Sequence, residues 1–251
     1  MAVGGGLGGI LMVVLYLALG GDPSELPLND GAPASAQPSA GEDPAFDFAS
    51  VILGSTEEVW SGIFSAAGLR YEPPAMVVYS GRTSSACGLG SSAMGPFYCP
   101  PDRTIYLDLT FFDDLARMGG PGDFAAAYVI GHEVGHHVQN LLGTSDQVRR
   151  AQARASEPEA NALSVGLELQ ADCFAGVWAN RAERDRRWLE PGDVEQGLDA
   201  AAAIGDDRMQ ARAGGEVVPE TFRHGSAAER QRSLRLGLET GDPEACDSLE
   251  R

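Results

Sequence analysis

The chain runs to 251 residues, 43% of them hydrophobic, which is enough apolar material to bury one large core or two small ones. Its formal net charge is −18, and all 18 of its basic residues are arginine. With no basic stripe to neutralise phosphates, nucleic acid is excluded as a partner, and the acidity itself reads as a composition bias that says little about substrate.

Ala2 to Gly21 carries no charged side chain and is strongly apolar from Ile10 to Leu19, close to the ~20 residues that a bilayer-spanning helix needs. Residues 1–21 are therefore expected to be a single-pass membrane anchor, with a cleaved signal peptide and a secreted protein as the alternative. Either way the remainder faces outward. Residues 22–44 run through Pro, Ala, Ser, Gly and Asp with few large apolar groups, the composition of a flexible linker. From residue 45 to 251 apolar residues recur at helical spacing in most segments, so that stretch is expected to be one domain.

Within it, Ser55-Thr56-Glu57-Glu58 reads as a helix start and Gly68 as its stop. Met76–Tyr79 and Thr104–Leu109 are short β-rich runs expected to pair in a small sheet. Helices follow over Phe111–Met118 and Asp123–Leu142, the second bounded by Pro121-Gly122 and Gly143. Pro158 opens a long helical pattern through Trp188, which Pro191-Gly192 breaks before a further helix from Asp193 to about Ile204. Four cysteines allow three pairings in an oxidising compartment. Cys87 and Cys99 flank a Gly/Ser-rich loop and are near enough to staple it, which leaves Cys173 for Cys246 by elimination. Zinc ligation by cysteine would call for a C-x-x-C pair, which the chain lacks.

His132-Glu133-Val134-Gly135-His136 is an H-E-x-x-H sequence inside the strongest helical segment. At 3.6 residues per turn the two imidazoles lie about 40° apart around the axis and one turn apart along it, so both can reach one metal ion. Glu133 beside them is placed to accept a proton from a metal-bound water as it attacks a carbonyl, and Gly135 leaves room for close backbone approach. A catalytic zinc takes a third protein ligand, and Glu168 on the next long helix supplies one. Asp172, one turn further on, is expected to accept the spare ring N–H of a liganding histidine, His132 for preference. A solvated helix face is the bland alternative for these two acids, but Val165, Leu169, Cys173 and Phe174 around them mark a buried helix.

The stretches 128–140 (YVIGHEVGHHVQN) and 168–178 (ELQADCFAGVW) resemble the bacterial putative neutral zinc metallopeptidase family, single-span membrane proteins with an outward catalytic domain. The similarity takes in 84–88, 95–100, 204–207 and 221–225, and so nearly all of residues 45–251. The resemblance implies a zincin-like, gluzincin-type α+β fold, mostly helical with a small sheet, one catalytic Zn2+ held by His132, His136 and Glu168, and Glu133 as general base. His224 is the candidate donor to the oxyanion, against an ordinary surface or capping role. His137 points about 100° away from His136 and is expected to pack or support. Thr104–Leu107, with Tyr106, is the candidate edge strand for pairing with an extended peptide, a plain core strand being the alternative. Asp206 and Asp207 are expected to orient arginine side chains rather than bind a second cation. The expected function is a zinc endopeptidase at the bacterial cell membrane, acting outside the cytoplasm on peptide or protein. Alternatives are a hydrolase of non-peptide amides or esters, and a zinc-stabilised envelope binding module without turnover.

Overall fold

Asp43 accepts a hydrogen bond from the Ala45 backbone N–H at 2.9 Å, and Pro44 behind it has no N–H to leave unpaired. These two residues start helix α1 (Pro44–Ala66) in the computed structural model, which describes residues 43–91 and 94–250. The helix expected from Ser55 thus begins eleven residues earlier. The hydroxyls read as caps are used inside the helix instead: Thr56 donates to the Leu53 carbonyl, and Ser55 accepts the indole N–H of Trp178. Gly68 ends the turn after α1 at φ +72°, as expected. The anchor and linker expected over 1–21 and 22–44 lie outside the described residues but for Asp43 and Pro44, and among those described no helix is long and apolar enough to cross a membrane.

Strands β1 (Ala75–Tyr79), β4 (Phe97–Cys99) and β5 (Thr104–Asp108) form one sheet in the order β1-β5-β4. β1 and β5 run parallel in the register Ala75 to Thr104 through Tyr79 to Asp108, and β4 lies antiparallel to β5. β2 (Arg82–Ser85) and β3 (Gly88–Ser91) make a separate antiparallel hairpin, fastened to β4 by the Cys87–Cys99 disulfide. Here the candidate edge strand proves to be its alternative, a core strand. Thr104–Leu107 is the centre of its sheet and is buried at every position, while the short β4 takes an edge.

The helices follow as α2 (Phe111–Arg117), α3 (Asp123–Leu142), α4 (Thr144–Gln152), α5 (Glu157–Arg186), α6 (Asp193–Ala203), α7 (Asp206–Arg212) and α8 (Ala227–Thr240). The fold is α+β and mostly helical. α4 was not legible in the sequence because it buries no residue and so shows no apolar stripe. α3 and α5 are different: α3 is buried along most of its length, and α5 is buried without a break from Leu169 to Ala179.

Their crossing, and that of α5 with α8, is set by glycines. A Cβ at Gly135 would lie 2.8 Å from the Ala171 carbonyl oxygen, and one at Gly176 would lie 2.3 Å from that of Leu234. Gly237 faces Cys173 even more closely, with 2.0 Å to its carbonyl oxygen. Beside these crossings Trp60, Phe64, Phe174, Val134, Val138 and Ile105 fill the core. The Cys173–Cys246 disulfide joins the same cluster and ties the segment after α8 to α5, as the elimination argument required. Two disulfides are the chemistry of an oxidising, extracytoplasmic compartment.

The crossings generate a paired expectation. Gly237→Ala should cost about 1–3 kcal/mol or more, because backbone must move to admit the methyl group. Gly62→Ala, in the exposed interior of α1 with nothing within 4 Å of the new Cβ, should instead stabilise by about 0.5–1 kcal/mol through helix propensity. Urea unfolding of both variants checks this; a Gly237→Ala protein as stable as the parent would show that the helices do not touch there.

Candidate metal centre

α3 presents His132 and His136 one turn apart, and α5 brings Glu168 between them. The Nε2 of His132 lies 3.2 Å from Glu168 Oε2, and the Nε2 of His136 lies 3.3 Å from Glu168 Oε1. All three residues offer ligand atoms within 4.8 Å of one another. A tetrahedral ion with bonds of about 2.0–2.1 Å needs its ligand atoms roughly 3.3 Å apart, which the two histidine–carboxylate separations match, and two imidazoles with one carboxylate are donors that suit zinc.

Both imidazoles have their tautomers set from behind. Asp172 Oδ1 sits 2.8 Å from His132 Nδ1, as the i,i+4 spacing on α5 suggested. Gln139 does the same for His136, with Oε1 2.9 Å from Nδ1. The Gln139 amide nitrogen donates to the Leu167 carbonyl and to Gln170 Oε1, which turns its oxygen toward the ring. Each Nδ1 therefore carries a proton, which leaves Nε2, the atom turned toward Glu168, as the one that can bind a metal once its own proton is displaced.

A second layer lies behind Asp172. Arg230 of α8 is 2% exposed and donates through Nε to Asp172 Oδ2 at 2.8 Å and through Nη2 to Oδ1 at 2.9 Å. The Tyr128 hydroxyl donates to the same Oδ1 at 2.6 Å. Sequence reasoning missed Gln139, Tyr128 and Arg230. The first two carried a signal, since they stand three residues after His136 and four before His132 on one helix. Arg230 carried none, being 58 residues from its partner Asp172.

Burial disfavours the charged form of His132, but the Asp172 and Glu168 carboxylates outweigh it and hold the metal-free ring up at about 10. His136 is raised too, burial again being overcome by Glu168. Glu168 is held well below the usual carboxylate range, against burial, by His136 and His132. Asp172 is drawn down to about 2, against burial, by Arg230 and then His132.

His132, His136 and Glu168 line a cleft of about 1000 Å³ with Glu133, which is 7% exposed and next to the paired histidines. Phe97 and Tyr98 of β4 form part of its wall, and so does His224. His224 is exposed, with Nδ1 3.0 Å from Asp206 Oδ1. Asp206 Oδ2 meanwhile accepts the backbone N–H groups of Arg223, His224 and Gly225, and Asp207 Oδ1 accepts that of Ala227. Asp206 and Asp207 thus hold the 223–227 backbone; the expectation that they orient arginine side chains is corrected. His137 is buried among Tyr98, whose hydroxyl is 2.9 Å from its Nδ1, and Glu72, whose carbonyl accepts from its Nε2. It packs α3 against β4, as expected, and burial lowers its pKa.

Residues 1–249 match the family described as putative neutral zinc metallopeptidase. The Escherichia coli K12 protein named uncharacterized protein YpfJ is 47% identical over 251 positions, covering 97% of this chain and 87% of that protein. The chain belongs to this zinc metallopeptidase family. Uncharacterized protein Rv2575 of Mycobacterium tuberculosis H37Rv and Mb2605 of Mycobacterium bovis are each 45% identical over 206 positions, which is 78% of this chain and 67% of theirs. No solved structure matches the chain. The family name implies zinc, and the cradle of His132, His136 and Glu168 is where the chain could hold it.

Because both rings are raised above their ordinary range, zinc entering the metal-free centre has to displace protons. Apparent affinity should tighten as pH rises from about 6 to about 8. Calorimetry at about pH 7 in two buffers of different ionisation heat should show proton release on zinc binding, and buffer-independent heats would contradict it.

Proposed function

We propose that this chain is a zinc-dependent endopeptidase in which His132, His136 and Glu168 hold the metal and Glu133 is the general base. The observation that carries the reading is the cradle itself: two imidazoles and a carboxylate with ligand atoms within 4.8 Å of one another, opening onto a cleft that Glu133 also lines. A zinc ion bound there would supply Lewis acidity and lower the pKa of a coordinated water. Glu133 takes the proton released by the attacking water and passes it to the departing amine nitrogen. Asp172 and Gln139 keep the two rings aimed while this happens.

The substrate is a peptide or protein in extended form. β4 supports this, since it is a sheet edge on the cleft wall and a strand laid beside it would gain backbone hydrogen bonds. His224, steered by Asp206, is assigned as donor to the carbonyl oxygen where negative charge develops. Residues 1–21 anchor the protein in the bacterial cell membrane, 22–44 form the linker, and the domain over 45–251 works outside the cytoplasm. The two disulfides favour that compartment.

Glu133→Gln should keep zinc and the fold while hydrolysis of a peptide library falls by about 10²–10⁴-fold. His224→Gln should lower kcat by about 10²-fold with KM little changed. Metal content and turnover measured together decide both. A Glu133→Gln protein that hydrolyses peptides at the parent rate sinks the mechanism.

A further inference from the structure

Arg230 reaches the Ile204 carbonyl at 3.5 Å and the Tyr128 hydroxyl at 3.2 Å, but its shortest contacts are with Asp172. Its guanidinium is 2% exposed, and burying so polar a group is costly where an apolar side chain of similar volume would fill the space. What it does is grip Asp172 with two parallel N–H donors, Nε on Oδ2 at 2.8 Å and Nη2 on Oδ1 at 2.9 Å. The last torsion of an Asp side chain is soft, and the hydrogen bonds from His132 and Tyr128 both fall on Oδ1, so neither holds Oδ2 and the plane of the carboxylate. The planar fork does hold them.

With that plane fixed, Oδ1 takes the Tyr128 hydroxyl at 2.6 Å and faces His132 Nδ1 at 2.8 Å. Arg230 Nη2 is also 3.4 Å from His132 Nδ1. Both nitrogens are donors when the ring proton is on Nδ1, so this is a close approach and not a bond; it leaves the Asp172 oxygen as the ring's partner. The height of α8 that allows this comes from the glycine crossing. Gly237 lies seven residues after Arg230, on the same face of α8, and it rests against Cys173, the neighbour of Asp172.

We propose that Arg230 is a positioning residue of the metal centre, fixing the Asp172 carboxylate so that His132 keeps Nε2 turned to the ion. The last helix is then part of the metal site, although it supplies no ligand. This rests on the reading that His132, His136 and Glu168 hold a metal.

The test uses the full chain loaded with Co2+, read by its visible absorption, and with Zn2+, read by chelator competition. The parent protein and the variants Arg230→Met, Arg230→Lys, Asp172→Asn and the Asp172→Asn/Arg230→Met double are compared, with circular dichroism as the check on folding. Arg230→Met should alter the cobalt spectrum and weaken zinc binding by about 10–100-fold. Arg230→Lys, which keeps the charge but not the fork, should recover only part of the affinity. Because Arg230 acts through Asp172, the double variant should bind zinc about as well as Asp172→Asn alone.

Parental spectrum and affinity in a destabilised Arg230→Met protein would reduce Arg230 to packing and overturn the proposal. So would an equal loss on removing Arg230 whether or not Asp172 is present. If Arg230→Met does not fold, Arg230→Lys decides: a folded Lys variant with the parental spectrum and affinity overturns the proposal, and a changed spectrum upholds it. A parent chain that takes up no cobalt is a separate result, since it removes the metal centre itself and the proposal with it.

Discussion

The crossing of α3 with α5 depends on what Gly135 lacks. With no Cβ on Gly135, the backbone of α3 comes down onto Ala171, and a methyl group there would overlap the Ala171 carbonyl. Only at that separation can the Glu168 carboxylate, one turn earlier on α5, reach the Nε2 atoms of both His132 and His136. The distances follow from the crossing. The same closeness brings Asp172 under the His132 ring and buries it completely.

Burying a carboxylate imposes its own demand. Asp172 has to be matched in charge and filled in hydrogen bonds, and α8 answers by delivering Arg230, again across a contact that only glycine permits. Three helices are in this way committed to one polar cluster within an otherwise apolar core. The Cys173–Cys246 disulfide sits in the apolar cluster next to it, so the end of the chain is tied to the helix that carries Glu168 and Asp172. Stability and candidate chemistry draw on the same contacts here, and a loosening of α8 would be felt at the metal centre.

Legibility varied with how local each signal was. The bounds of α3 could be read because Pro121-Gly122 and Gly143 punctuate it, and α5 because its apolar residues and Pro158 mark it. α1 was read eleven residues short, because Ser55 and Thr56 look like caps to a reader who cannot see Trp178 and the Leu53 carbonyl taking their hydroxyls. The place of Thr104–Leu107 within its sheet, edge or core, stayed open for a like reason: a strand's own residues do not say how many neighbours it has. Asp206 and Asp207 were assigned to arginines, yet what they hold is backbone in a loop that no local pattern joins to them.

The sequence by itself determined the pieces of the site that lie on one helix each: two histidines one turn apart with a glutamate beside them, and two acids one turn apart on the next long helix. It also suggested a cysteine pairing, a short staple with the other two thiols left for each other, which the structure shows. Tertiary structure alone decided which strand edge meets the cleft, which loop His224 rides on, and that an arginine from the last helix closes the network behind His132. The physical reason is range. Helical periodicity relates residues a few positions apart, whereas Asp172 and Arg230 meet only after two helices have packed glycine against backbone.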